Sequence, residues 1–322
     1  MKKISDYSAL MEKNVRDLTF PGEELSSLYS PVSYALASGG KRLRPSLLLM
    51  AADCFGGKTE EAFAPAAGIE VFHNFTLLHD DVMDNSDTRR GRQSVYAKWG
   101  TNTAILSGDT MLTIATQLIS QVGDEKLREV LDTFNAMALK VYEGQRLDMD
   151  FEEMEDVSLD QYIRMIKDKT GALLGAACKI GAIIGGADAK DADKMYEYGL
   201  MLGVAFQIQD DWLDVFGDST TFGKPIGGDI NNNKKSYLLL KGFETGGPDA
   251  VALKEAMSLA AGDTKVKIVT RIYEKMNISA ICRQEISSYS AKALAALKST
   301  SLSDDDKEAF RMVVEKLTGR KK

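Results

Sequence analysis

The chain has 322 residues, of which 44% are hydrophobic and 27% are charged. These fractions are typical of globular proteins and exclude the disordered and fibrous classes, and the length allows a large buried core. The net charge of −7 disfavours nucleic acid as a general partner, so an anionic substrate would need particular basic residues or bound cations to hold it.

The cysteines and the N-terminal segment indicate a cytoplasmic protein. Cys54, Cys178 and Cys282 are far apart and in no paired spacing, which favours reduced thiols over disulfides or a zinc site. The first ten residues lack the apolar segment of a signal peptide. The most membrane-like stretch, 171–187, carries Lys179, so we expect a buried helix there and no integral membrane segment.

Helical periodicity dominates the chain, and no alternating run of β-branched residues ends in a hairpin turn. Pro45 and Pro65 suit the first turns of helices, Ser158 opens a capping box, and Ser303 caps a final helix. No long polar linker interrupts the chain, so residues 1–322 are predicted to form a single all-α domain, a large helical bundle. The long helices are expected at roughly 66–85, 102–121, 124–150, 159–185 and 190–216.

Two aspartate clusters share one spacing, with carboxylates at the first, second and fifth positions. The first and fifth side chains lie one helical turn apart on the same face, where like charges repel. Magnesium prefers one or two carboxylates completed by water and phosphate oxygens, and it would remove this repulsion. A solvated helix face is the alternative for either cluster alone, but the repetition favours metal binding. The clusters are Asp80, Asp81 and Asp84, and Asp210, Asp211 and Asp214.

Basic residues gather in a few short segments around these clusters. A solubilising surface position is the alternative interpretation of any one of them. Together with the aspartates they suit phosphate chemistry, in which carboxylates hold cations while Lys and Arg hold the remaining phosphate oxygens. The segments are 39–45, 89–92, 169–171, 223–225 and 233–236.

Seven segments, in order between about residues 36 and 240, resemble the trans-prenyl diphosphate synthases of the farnesyl and geranylgeranyl type. The resemblance implies an isoprenoid synthase-type bundle around a central cavity, and about three Mg²⁺ ions in each active site. The segments are GGKRLRP at 39–45, HNFTLLHDDVMD at 73–84, RRG at 89–91, GQRLD at 144–148, KT at 169–170, FQIQDDWLD at 206–214 and GKPIGGD at 223–229.

The family's residue roles are carried over onto matching positions only. Asp80, Asp84 and Asp210 resemble the magnesium ligands, supported by Asp81, Asp214, Gln207 and Asp229. The allylic diphosphate site is implied at Arg89, Lys169, Lys224 and Lys234, and Thr170 and Gln207 are implied as further substrate-binding residues. The isopentenyl diphosphate site is implied at Lys41, Arg44, His73 and Arg90, and Gln145 and Asp148 match a polar motif that faces the cavity.

This sequence departs from the family pattern at two places. Gln93 stands where the family often has Pro, and Gly227-Gly228 alter the spacing before Asp229. The altered spacing leaves both Lys234 and Lys235 as candidates for the diphosphate site, of which Lys234 is preferred. His79 has no metal-ligand spacing to another His or Cys and is predicted as a packing residue.

The resemblance implies a homodimeric enzyme that ionises an allylic diphosphate with Asp80, Asp84, Asp210, Lys169 and Lys224, and couples the cation to isopentenyl diphosphate. Phe75 lies five residues before Asp80, about 7.5 Å deeper along a helix, and an aromatic there resembles the cavity floor of short-chain members. The expected product is farnesyl or geranylgeranyl diphosphate. A longer-chain synthase, a class I terpene synthase, a non-catalytic partner subunit and a ligand-free helical scaffold are the alternatives.

Overall fold

The computed structural model describes residues 2–217 and 226–319. Almost every regular element is helical, and the predicted all-α fold class is confirmed. The helices are α1 Ile4–Arg16, α2 Ser26–Leu36, α3 Leu43–Cys54, α4 Phe63–Met83, α5 Val95–Trp99, α6 Thr101–Ile119, α7 Asp124–Glu153, α8 Leu159–Ile166, α9 Ala172–Gly185, α10 Ala189–Phe216, α11 Gly228–Asn231, α12 Tyr237–Thr245, α13 Gly247–Met257, α14 Asp263–Lys275, α15 Ile278–Lys298 and α16 Asp304–Thr318.

Short irregular elements join some of these helices. One-turn 3₁₀ helices occur at Glu23–Leu25 and Thr59–Ala62, and a π-helical turn occupies Lys167–Gly171. A two-stranded antiparallel hairpin pairs β1, Thr88–Arg89, with β2, Arg92–Gln93. The hairpin was not predicted, because two-residue strands are too short to show a period-two pattern.

The helix ends follow local chemistry. Ser158 accepts a hydrogen bond from the Gln161 amide at 3.2 Å and its own amide donates to the Gln161 side chain at 2.8 Å, which confirms the capping box. Ser303 likewise accepts from the Asp306 amide at 3.2 Å. Pro45 lies in the first turn of α3, as predicted.

The chain folds into two compact units. The first comprises residues 1–136, 176–196 and 301–309, and its core includes Phe72 and Phe134, whose rings meet edge to face at 5.3 Å. The second comprises residues 137–175, 197–300 and 310–322, and its core is built around Trp212 and Tyr273.

The stretch 171–187 is almost wholly buried, as expected for a core helix. Among the residues described, no helix is both long and apolar enough to cross a membrane. Cys54, Cys178 and Cys282 are free thiols, and burial raises the pKa of each.

Candidate active site

The first aspartate motif lies at the C-terminal end of α4, in the first unit. Asp80 is in the last turn and Asp84 immediately follows the helix, and the Asp84 amide donates to the Asp80 carbonyl at 2.8 Å. The two carboxylates are therefore one turn apart, with Asp80 partly buried and Asp84 exposed. This arrangement fits a Mg²⁺ ion that takes its other ligands from water and phosphate oxygens.

Asp81 serves Arg89. The guanidinium of Arg89 donates to Oδ1 of Asp81 through Nε at 2.8 Å and through Nη2 at 2.5 Å, and Nη2 also lies 3.4 Å from Oδ2 of Asp80. Burial raises the pKa of Asp81, and the hydrogen bonds from Arg89 oppose that shift. The paired carboxylate thus holds a predicted diphosphate-binding Arg beside the predicted metal ligands.

The RRG segment forms the turn of the β1–β2 hairpin. Arg90 and Gly91 both have positive φ, 52° and 74°, as a two-residue type I′ turn requires, and glycine adopts this conformation without strain. The turn carries the Arg90 guanidinium onto the carbonyl of Gly39, to which it donates a hydrogen bond. Arg90 is thereby joined to the GGKRLRP loop, although the two segments are far apart in sequence.

Arg44 and His73, both predicted for the isopentenyl diphosphate site, lie side by side. Nη1 of Arg44 lies 3.1 Å from Nε2 of His73. Arg can only donate, so Nε2 must accept and the ring proton is on Nδ1. Burial and the charge of Arg44 keep the pKa of His73 well below its usual range, so the imidazole is neutral. Lys41, on the same loop, is exposed.

Phe75 is buried in an aromatic cluster on α4. Its ring centroid lies 5.5 Å from Phe72 and 4.8 Å from His79, the latter edge to face. Nε2 of His79 lies 3.1 Å from the carbonyl oxygen of Ile105 on α6. These contacts support the predicted packing role of His79.

The second aspartate motif lies near the C-terminal end of α10, in the second unit. Asp210 is partly buried, whereas Asp211 and Asp214 are buried and bind protein groups. Oδ2 of Asp211 accepts from the Tyr162 hydroxyl at 2.5 Å and from the Tyr237 amide at 2.8 Å. Burial and the nearby charge of Asp229 raise the pKa of Asp211 well above its usual range.

Asp214 and Gln207, in the same motif, also form hydrogen bonds to neighbouring segments. Oδ2 of Asp214 accepts from the Asp229 amide at 3.1 Å, which fixes the start of α11. The Gln207 amide group donates to Oδ1 of Asp211 at 3.1 Å, and its oxygen accepts from the Thr170 hydroxyl at 3.1 Å. Thr170 and Gln207, both predicted to bind substrate, are therefore brought together.

Lys169 lies in the π-helical turn and donates to Oδ2 of Asp148 on α7 at 2.5 Å. Burial opposes ionisation of Asp148, but the charges of Lys169 and Lys234 prevail and hold its pKa below its usual value. Lys169 and Lys234 are thus both close enough to Asp148 for their charges to act on its carboxyl group.

The π-helical turn corrects the prediction of an uninterrupted helix at 159–185. The turn contains one more residue than an α-helical turn, and π-turns often occur at functional sites. Gly144 on α7 packs against it: a Cβ at Gly144 would lie 2.3 Å from the backbone N of Lys169. Only glycine allows the two backbones to approach this closely.

Two residues with structural roles at the site were missed by sequence reasoning. Tyr162, seven residues before Lys169, donates a hydrogen bond to Asp211. No sequence pattern around Tyr162 indicates this role. Arg42 lies between Lys41 and Arg44 in sequence, but its side chain is buried and takes no part in their predicted substrate site. Its positive φ of 46° could not be predicted from the sequence. Lys224, predicted for catalysis and diphosphate binding, lies outside the described residues.

In the ranges 2–217 and 226–319, no three His, Cys, Asp or Glu side chains form a group that could hold a metal by itself. The site residues present instead offer paired carboxylates on helices with Lys, Arg and a neutral His near them. An all-α enzyme that handles a diphosphate is the class of protein that this fold and these residue types indicate.

The chain belongs to the Polyprenyl synthetase family, whose profile matches residues 25–276. It is 38% identical over 246 residues to a geranylgeranyl diphosphate synthase of Methanosarcina mazei, which covers 76% of either chain. It is 38% identical over 245 residues to a short chain isoprenyl diphosphate synthase of Methanothermobacter thermautotrophicus, covering 76% of this chain and 75% of the relative. A crystal structure of a geranylgeranyl pyrophosphate synthase matches with a TM-score of 0.92 and 41% identity over the whole of both chains.

Proposed function

We propose that this protein is a short-chain trans-prenyltransferase that condenses isopentenyl diphosphate with an allylic diphosphate to give geranylgeranyl diphosphate, or farnesyl diphosphate as the shorter product. Family membership and relatives named for geranylgeranyl diphosphate synthesis support the reaction class. The observation that carries the proposal is the pair of aspartate motifs, each at a helix end and each surrounded by diphosphate-binding residue types.

Asp80, Asp84 and Asp210 are proposed to bind Mg²⁺. The spacing of Asp80 and Asp84 by one turn, and the partial exposure of Asp80 and Asp210, support this role. Bound Mg²⁺ would neutralise the leaving diphosphate and so lower the barrier to breaking the allylic C–O bond. Asp81 and Asp211 are proposed as supporting residues, because their carboxylates already bind Arg89 and Tyr162.

Lys169, Thr170, Gln207 and Lys234, with Arg89, are proposed to hold the allylic diphosphate. The proposed role of Lys169 is supported by its place in the π-helical turn, which packs closely against α7 at Gly144. Lys224 is proposed with them on the family resemblance alone.

Lys41, Arg44, His73 and Arg90 are proposed to hold isopentenyl diphosphate. A neutral His73 accepting from Arg44 orients that guanidinium, and Lys41 lies exposed on the same loop. The double bond of the held substrate attacks the allylic cation, the new C–C bond forms, and a proton is lost to the released diphosphate. Positioning of the two substrates supplies much of the acceleration in such a coupling.

Phe75 is proposed to limit product length. Its ring is buried and packs against Phe72, which in turn packs against Phe134, so a growing prenyl chain that reached Phe75 would be stopped by packed aromatic side chains. This supports a short-chain product over a longer-chain one.

We further propose that residues 1–322 act as one polyprenyl synthetase-like domain, and that the protein is a cytoplasmic homodimer. The match of one family profile across residues 25–276, which include parts of both compact units, supports a single domain. Sedimentation velocity of the purified protein would give the mass of the dimer, or of the monomer if the proposal is wrong.

The reaction is tested by incubating purified protein with radiolabelled isopentenyl diphosphate, an allylic diphosphate and Mg²⁺. The expected result is label in an acid-labile prenyl product, abolished by chelation of the metal and restored by its return. A class I terpene synthase would consume the allylic diphosphate without incorporating label. A partner subunit or scaffold would consume neither substrate.

A further inference from the structure

The loop that carries Lys41 and Arg44 has a third cation, Arg42, whose side chain is buried. Arg42 is 3% exposed, whereas Lys41 is exposed. Its φ of 46° is in the left-handed region, which a long L side chain rarely adopts. Such a conformation persists only where the surrounding structure holds it in place.

Three acceptors from three helices hold the guanidinium. Its Nε donates to Glu12 of α1 at 2.8 Å, its Nη1 to Glu70 of α4 at 2.6 Å, and its Nη2 to the carbonyl of Leu36 in α2 at 2.8 Å. Glu70 also accepts from the Asn74 side chain at 3.1 Å. A buried charge with every partner in place is stable, but removal of one partner leaves another charge uncompensated.

These contacts are continuous with the groups proposed to bind isopentenyl diphosphate. The carbonyl of Arg42 accepts from the Ser46 hydroxyl at 2.5 Å, in the same turn of α3 that carries Arg44. Ser8 of α1 donates to the carbonyl of Lys41 at 3.0 Å. Glu70 lies on α4 one turn before His73, the partner of Arg44.

We propose that Arg42 is a positioning residue for isopentenyl diphosphate: its buried guanidinium ties the loop to α1, α2 and α4 so that Lys41 and Arg44 are presented together with His73. This inference rests on the proposed function. It assigns to the N-terminal helix α1, which lies ahead of the family match, a part in substrate binding through Glu12 and Ser8.

A merely structural Arg42 would stabilise the first unit without favouring either substrate. A positioning Arg42 should act on one substrate selectively, because displacement of a binding group by about 1 Å can cost roughly a hundredfold. The KM for isopentenyl diphosphate, compared with the KM for the allylic diphosphate in the same variant, separates the two roles.

The test uses Arg42→Gln, Arg42→Lys and Glu12→Gln in the full-length protein. Arg42→Gln should raise the KM for isopentenyl diphosphate by about tenfold or more and leave the allylic KM within about twofold. Arg42→Lys keeps the charge but cannot reach three acceptors, so it should give an intermediate value. Glu12→Gln removes only the partly exposed partner and should give about a threefold rise.

Asp191→Asn is the matched control. Asp191 is a buried carboxylate of the same unit that accepts from the amide and hydroxyl of Ser301, so its loss should lower the melting temperature without a selective change in KM.

Parallel changes in both KM values, or an unchanged KM for isopentenyl diphosphate in Arg42→Gln, would overturn the inference. If Arg42→Gln does not fold, the Glu12→Gln variant provides the test. An unchanged KM for isopentenyl diphosphate in Glu12→Gln would then overturn the inference. Failure of the wild-type protein to consume isopentenyl diphosphate would instead refute the proposed function, and the inference with it.

Discussion

Gly144→Ala is predicted to disable the enzyme through one methyl group. The new Cβ would lie 2.3 Å from the backbone N of Lys169, 2.7 Å from its Cα and 2.8 Å from the carbonyl carbon of Asp168. All three are backbone atoms, so no side-chain rotation can relieve the clash. Ordinary contact begins near 3.4 Å, so α7 and the π-helical turn must separate by about 1 Å.

That separation should act on catalysis more than on folding. Overpacking of this kind costs about 1–3 kcal/mol, which a domain with about 5–15 kcal/mol of stability survives. The same 1 Å moves Lys169 away from Asp148 and from the diphosphate it is proposed to bind. We therefore expect kcat/KM to fall by roughly a hundredfold while the melting temperature falls by only a few degrees.

Steady-state kinetics and thermal melting of Gly144→Ala measure the two effects. Gly123→Ala is the matched control, because its Cβ would meet only the flexible carboxylate of Glu125. A folded Gly144→Ala protein with wild-type kcat/KM would refute the placement of Lys169 in the active site.

Three further changes test other parts of the site. Asp80→Ala should remove most turnover and weaken the response to added Mg²⁺, and near-normal rates in magnesium would contradict its role as a ligand. Phe75→Ala should open space beneath the prenyl chain and shift products to longer diphosphates in chromatography, whereas an unchanged product distribution would exclude the proposed floor. Tyr162→Phe leaves buried Asp211 without its hydroxyl donor, at a cost of about 1–3 kcal/mol, so calorimetry should show a lower melting temperature; an unchanged value would show that this hydrogen bond adds no stability.

The features that were predictable from sequence are those that short stretches of chain encode. The capping box at Ser158 depends on residues three apart, and the turn between Asp80 and Asp84 depends on helical spacing alone. Both were therefore predicted and found. The start and end of α4, expected at 66–85, lie at 63–83, because helix ends depend on neighbours beyond the periodic pattern.

The features that were missed depend on residues far apart in sequence. The π-helical turn around Lys169 packs against Gly144, and the burial of Arg42 depends on Glu12 and Glu70. A sequence pattern shows three cations in the GGKRLRP loop but not that one of them points into the protein. Tyr162 could not be assigned for the same reason, since its partner Asp211 is 49 residues away.

The central claim is that the protein joins isopentenyl diphosphate to an allylic diphosphate in the presence of Mg²⁺. The most direct test is chromatographic identification of the products formed from dimethylallyl, geranyl or farnesyl diphosphate, each with isopentenyl diphosphate. Accumulation of geranylgeranyl or farnesyl diphosphate, dependent on the metal, is the predicted result. Consumption of the allylic diphosphate alone, to alcohols or cyclic hydrocarbons with no isopentenyl carbon incorporated, would contradict it.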